Sequence, residues 1–226
     1  MGWKLHEDLS FCSVDGRLVF LDVSKDRYFR LQEAQEHAFA SLVDGNGADE
    51  TEIRRLAEQH ILEETMQPDV APRPASIARV TRSAFEETDG DEMPGFLASA
   101  EVLMITYATR RQLKRNRLKA VLAQTATYRR HRIARAARIV KDQKPVSLHR
   151  ASATFMRARA FSPIDTICLL DSISMLKFLA NRGLHANLVF AVASDPFSAH
   201  CWVQSGDAVL NDTVGTAHAH TPIWML

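Results

Sequence analysis

No stretch of this sequence approaches the roughly 18 consecutive apolar residues that a membrane-crossing helix requires, so a bilayer-spanning segment is not expected. The first ten residues lack an apolar run and already carry Glu7 and Asp8, so they do not read as a signal peptide; the expected location is the cytoplasm. Cysteine is scarce. The three present, Cys12, Cys168 and Cys201, are odd in number, widely spaced and in no Cys-x-x-Cys pair, which excludes a disulfide framework and a structural zinc site. In a reducing compartment such a thiol is free to act as a nucleophile. There is no P-loop, so nucleotide chemistry is not expected from this chain. Acids are nearly missing from residues 110–144, which hold 13 Lys/Arg and Asp142 alone on the other side.

Within 226 residues, 46% apolar and 24% charged, there is room for one large or two small globular domains. The net charge of +1 conceals two halves of opposite sign. Residues 1–101 carry 10 Lys/Arg against 21 Asp/Glu, and the remainder 18 against 6, which predicts two modules with separate tasks.

Along the chain, residues 11–14 and 17–23 read as strands around Asp15-Gly16, a pair that suits a tight type I′ hairpin turn. A third strand is expected at residues 28–31, then helices at 33–43 and 49–62, the second with Asp49 and Glu52 in capping-box spacing. Residues 1–65 thus form a compact α+β module. Residues 66–95, with four prolines and an acidic stretch, read as a linker, within which 77–85 could form a docked helix. Residues 96–144 read as basic helix with an apolar face of Leu97, Val102, Leu103, Ile105, Leu113, Leu118, Val121 and Leu122. Residues 169–182 read as a helix with Leu169, Ile173, Leu176 and Leu179 on one face, closed by Gly183. Strands follow at 188–192, 199–204 and 208–212.

Cys168 falls in the first turn of that helix, with Asp165 or Thr166 as N-cap. Unpaired N–H groups and the helix dipole there favour a thiolate and can bind an oxyanion. If the hairpin centres on Gly206, Gln204 faces Ala208, Trp202 faces Leu210 and His200 faces Asp212. A carboxylate opposite an imidazole can orient it and stabilise its protonated form. Cys168 as nucleophile, His200 as base and Asp212 as orienting acid form the candidate catalytic constellation. Each also has an ordinary structural reading: a packed thiol, a satisfied histidine, a turn-forming aspartate. On a strand, His218 and His220, two apart, would turn both rings to one face, with His200 as a candidate companion, but no third ligand with good spacing accompanies them; a flexible surface segment is expected there, and no metal and no cofactor.

At these residues the sequence resembles a known family. The segments 168–172, 182–189 and 195–203, with Leu210-Asn211-Asp212 and Thr221-Pro222-Ile223, resemble the lasso-peptide maturation proteases, the transglutaminase-like B proteins of ribosomally made peptide pathways. The resemblance covers about the last 130 residues. Cys201 departs from the pattern, where a small residue is commoner; it is expected to pack inward, opposite to His200. Residues 1–65 are similar to the winged-helix-like RiPP recognition element that binds a precursor's leader peptide. The resemblance implies an α+β architecture: a leader-binding module at 1–65, a linker at 66–95, and a transglutaminase-like (papain-like) cysteine protease domain at 96–226. It implies that the leader adds as a strand along Tyr28, Phe29, Arg30 and Leu31, and that Cys168, His200 and Asp212 hydrolyse the leader–core bond. The freed core amine would then pass to an asparagine-synthetase-like cyclase that forms the macrolactam.

Two rival readings are a non-catalytic leader chaperone and a winged-helix nucleic-acid binder. The second is disfavoured because the module that would face phosphates is acidic, so neither nucleic acid nor membrane is an expected partner. A third is an acyl transferase, since related folds pass acyl groups to amines.

Overall fold

A computed structural model of the chain describes residues 2–67, 71–87, 93–139 and 147–226. It divides into two compact units, Met1–Ser76 with Pro222–Trp224, and Ile77–Thr221 with Met225–Leu226.

The first unit contains β1 (Gly2–Leu5), β2 (Leu9–Val14), β3 (Arg17–Asp22), β4 (Arg27–Phe29), α1 (Glu33–Val43), α2 (Glu50–Glu58) and β5 (Leu62–Thr65). β2, β3 and β4 form an antiparallel sheet in that order, and β1 pairs with β5 in a separate ribbon. The Asp15-Gly16 turn has the expected two-residue form: Val14 faces Arg17, and both turn residues have positive φ. Helix α1 packs on the sheet through Phe39, whose ring meets Phe11 and Phe20 edge-on at 5.0 and 5.1 Å. Ile53 and Leu56 of α2 close the same core. Burying each such side chain contributes about 1.5–3 kcal/mol. The α2 start is capped by Asp49, which accepts from Thr51 N–H, whereas Glu52 turns away to pair with Arg55. Two expectations need correction. The second helix ends at Glu58, because His60 takes a positive φ and the chain enters β5. The third expected strand covers Arg27–Phe29, so Arg30 and Leu31 lie beyond it, and Leu31 is buried in the core.

The second unit contains β6 (Arg82–Ser83), α3 (Phe96–Arg115), α4 (Leu118–Ile139), α5 (Leu148–Ala160), α6 (Cys168–Ala180), β7 (Asn187–Ser194), β8 (Phe197–Ser205), β9 (Ala208–Val209) and α7 (Val214–His218). With the last strand, β10 (Thr221–Met225), the sheet order is β10-β7-β8-β9-β6. Among the described residues no helix is long and apolar enough to cross a membrane. Part of the stretch read as linker enters this unit: residues 77–81 form no helix, β6 runs parallel to β9, and Val80, Ser83 and Ala84 are buried.

Helix α6 is the hub, packing against α3, α4, α5, β7 and β8. Every residue from Ser172 to Ala180 is buried, not one face alone, as suits a helix enclosed on all sides. It closes as expected at Gly183, whose φ of 73° lets Leu184 N–H reach Leu179 O at 3.0 Å. The basic stretch expected as one helical region is broken at Asn116 into α3 and α4, and its end at residues 140–146 lies outside the described residues. Of its expected apolar face, Val102, Leu118, Val121 and Leu122 are buried but Leu97 and Leu103 are exposed.

Candidate active site

Cys168 is the first residue of α6, and Ile167 is its N-cap with no side-chain hydrogen bond. Asp165 and Thr166 therefore do not cap it, which leaves the first-turn N–H groups free of a competing side-chain oxygen. The approach to this helix is held by a residue that spacing did not reveal. Arg159 of α5 is 3% exposed; its Nε donates to Asp171 Oδ1 at 2.6 Å, and its two Nη atoms donate to the carbonyls of Ile164 and Asp165 at 2.8 Å each. One guanidinium thus pins both the loop before Cys168 and the first turn after it. No local pattern links residue 159 to 171, which lie on different helices.

His200 lies on β8 and Asp212 beyond β9. The hairpin register differs by one residue from that expected: Ser205 faces Ala208 and Gln204 faces Val209, around a two-residue Gly206-Asp207 loop. Continued as a ladder, this register would turn His200 and Asp212 apart. The ladder instead ends after Leu210, whose N–H donates to Val203 O at 2.8 Å. Asn211 bends inward, its Oδ1 accepting from Val203 N–H at 2.7 Å and its Nδ2 donating to Ser172 Oγ at 2.9 Å. Ser83 Oγ donates to the carbonyl of Asp212 at 2.6 Å. The bend returns Asp212, whose Oδ2 pairs with His200 Nε2 while its Oδ1 accepts from Thr213 N–H at 2.7 Å.

With Nε2 committed to Asp212, the other face of the His200 ring serves the sulfur of Cys168, to which it is hydrogen-bonded. Hydrogen bonds from the Cys201 thiol and from His200 hold the Cys168 thiol down at about 4, against the opposing effect of burial. Asp212 and then Cys168 lift His200 to about 9. Burial pulls Asp212 upward, but His200 and the Thr213 N–H leave it below the ordinary carboxylate range. The pair is a thiolate and an imidazolium across the neutral range.

Cys201 is 3% exposed, in keeping with inward packing, yet its thiol meets the Cys168 sulfur and both line one cavity. That cavity, about 580 Å³, is walled by Ala153, Met156 and Ala160 of α5 and by Ile167, with Cys168 and His200 at its floor. His218 ends the short helix α7, with Nε2 donating to Val80 O at 2.7 Å; His220 donates from Nδ1 to Thr216 O at 2.9 Å, and its ring lies 5.3 Å from that of His200. Among the described residues no cluster of three or more metal-ligating side chains is present.

In the first unit, Tyr28 and Phe29 are half-buried on β4, Phe29 stacking on Phe20 at 5.3 Å, and Arg30 is exposed. A cavity of about 640 Å³ opens beside them, lined by Phe29, Arg30, Leu31, Gln35 and His60 among others.

A thiolate at a helix start, an imidazolium and a carboxylate define a transglutaminase-like site, and residues 101–225 match the transglutaminase-like superfamily; the chain belongs to it. A narrower likeness is to the microcin J25-processing protein McjB of Escherichia coli, 40% identical over 45 residues. That stretch is 20% of this chain and 22% of the relative, so only about a fifth of each is compared. No solved structure matches the chain.

Proposed function

We propose that this protein is a leader peptidase of lasso-peptide biosynthesis. The observation that carries the reading is the convergence of Cys168, His200 and Asp212 at one cavity, in the protonation states a cysteine hydrolase needs. The superfamily and the likeness to a microcin-processing protein support it.

The chemistry follows from the groups present. The Cys168 thiolate attacks the carbonyl at the leader–core junction, and the uncapped first-turn N–H groups of α6 receive the oxyanion. The His200 imidazolium gives its proton to the departing amine, held in orientation by Asp212. The core peptide leaves with a free N-terminus and the leader remains as a thioester on Cys168. His200, now neutral, takes a proton from water as that water attacks the thioester, and the leader acid is released. The α5 face of Ala153, Met156 and Ala160 offers an apolar wall for side chains flanking the bond.

In this reading, residues 1–65 are a recognition element of winged-helix type, and the protease domain begins near Ile77, with β6 in its sheet. The leader binds as an added strand along the open edge of β4 at Tyr28 and Phe29, with Arg30 and Leu31 at the cavity that follows. Binding there raises the local concentration of the scissile bond. The new amine is consumed by a partner cyclase resembling asparagine synthetase.

Mass spectrometry of a lasso precursor incubated with the protein tests this. Separate leader and core are expected from the wild type and intact precursor from Cys168→Ala. Equal maturation with Cys168→Ala would establish a chaperone instead, and leader–amine conjugates in the presence of an added amine would establish a transferase.

A further inference from the structure

Resting on the reading of Cys168 as nucleophile, a second thiol in the same cavity carries a consequence for its regulation. Cys201 follows His200 on β8, and its carbonyl accepts from Ser172 Oγ at 3.3 Å, one turn along α6 from Cys168. Helix α6 and strand β8 are packed together, and the Cys201 thiol donates to the Cys168 sulfur. The two thiols therefore approach each other from separate elements that are both well anchored. Cys168 is half-buried and lines the cavity, whereas Cys201 is enclosed.

We propose that Cys168 and Cys201 are a peroxide-sensing pair that closes to a reversible disulfide, switching the site off and sparing the nucleophile from irreversible oxidation. A hydroperoxide need reach only Cys168. The thiolate attacks one peroxide oxygen, the O–O bond breaks, and Cys168 becomes a sulfenic acid as the other oxygen leaves as hydroxide. That hydroxide takes the Cys201 proton, forming water. The Cys201 thiolate then attacks the Cys168 sulfur, forming the S–S bond and expelling the sulfenic oxygen as hydroxide, which takes the proton of the His200 imidazolium and leaves as water. Two electrons pass from the two sulfurs to the peroxide, and two thiols with one hydrogen peroxide yield one disulfide and two waters. A dithiol reductant reverses the step by exchange. Cys12 is a poor competitor: it is buried in the first unit, and burial pushes its thiol up to about 11.

The test uses the full chain, hydrogen peroxide and tryptic mapping. Cleavage after Arg159, Lys177 and Arg182 places Cys168 on peptide 160–177 and Cys201 on 183–226, which carries no further Lys or Arg. Iodoacetamide capture of Cys168 before oxidation reports the nucleophile independently of any precursor. After peroxide, the wild type is expected to show the two peptides joined with loss of two hydrogens, loss of Cys168 capture, and recovery of capture with dithiothreitol. Cys201→Ser, which keeps a donor beside Cys168, is expected to show no linked peptide, a sulfinic acid on 160–177 and no recovery; Cys201→Ala serves if the serine variant does not fold. Wild-type Cys168 that passes to sulfinic acid unlinked, as irrecoverably as in either variant, would overturn the pair. Failure of the untreated protein to cleave precursor would remove the peptidase reading and leave this result standing on the capture data.

Discussion

At the scale of residues, the site turns on three charges that exist only in each other's company. Cys168 ionises because Cys201 and His200 donate to it, and His200 stays protonated because Asp212 and the thiolate face it. If the site cleaves as proposed, both forms are needed, and the rate is expected to rise as pH climbs through about 4 and fall as pH climbs through about 9. Asp212→Asn removes the largest support of the imidazolium. The alkaline limb of the pH–rate profile is expected to move to lower pH, with kcat lower by about 10²–10⁴-fold. Limbs unchanged from wild type would remove Asp212 from the constellation. Cys168 was legible in sequence as a thiol at a helix start, whereas the expected facing of His200 and Asp212 was drawn from a hairpin register that the structure shifts by one residue. Cys201 was legible only as an inward-facing residue, because strand alternation gives a direction and not a neighbour.

Among the elements, α6 gains its position from its surroundings more than from its own sequence. Arg159 is the clearest instance, with a guanidinium buried against Asp171 and two loop carbonyls. Burial already drives the Asp171 carboxyl upward against the pull of Arg159. Arg159→Leu would leave that carboxyl enclosed without a cation, at an expected cost of about 3–5 kcal/mol in urea unfolding at neutral pH. The deficit should shrink as pH falls, since a protonated Asp171 no longer needs the partner; a loss that is small and independent of pH would refute the anchoring role. Several of the basic residues that stand out in the sequence do similar work within the unit. Arg129 of α4 donates to the carbonyls of Leu226 and Ala186, and Arg182 pairs with both oxygens of Glu101. Within the basic tract at 110–144, Arg129 is thus a backbone anchor.

For the molecule as a whole, the acidic first unit and the basic second unit correspond to the two tasks proposed, recognition and cleavage. If the β4 edge receives the leader, Tyr28→Ala should act on binding. KM for full-length precursor is expected to rise about tenfold, equivalent to about 1.4 kcal/mol, with a smaller change in kcat. A fall in kcat at unchanged KM would place Tyr28 outside leader recognition.

What the sequence alone determined lies within short range: the Asp15-Gly16 hairpin, the bounds of α1, the close of α6 at Gly183, and the placing of Cys168 in a first turn. Each depends on backbone preferences and periodicity over a few residues. The tertiary structure decided the one-residue register of the last hairpin, the inward bend at Asn211 that nevertheless returns Asp212 to His200, the hold of Arg159, and the meeting of the two thiols. These depend on partners far away along the chain, such as Ser83 and Asp212, and a packed interior selects such partners by shape and by the need to satisfy buried polar groups, which no local pattern encodes.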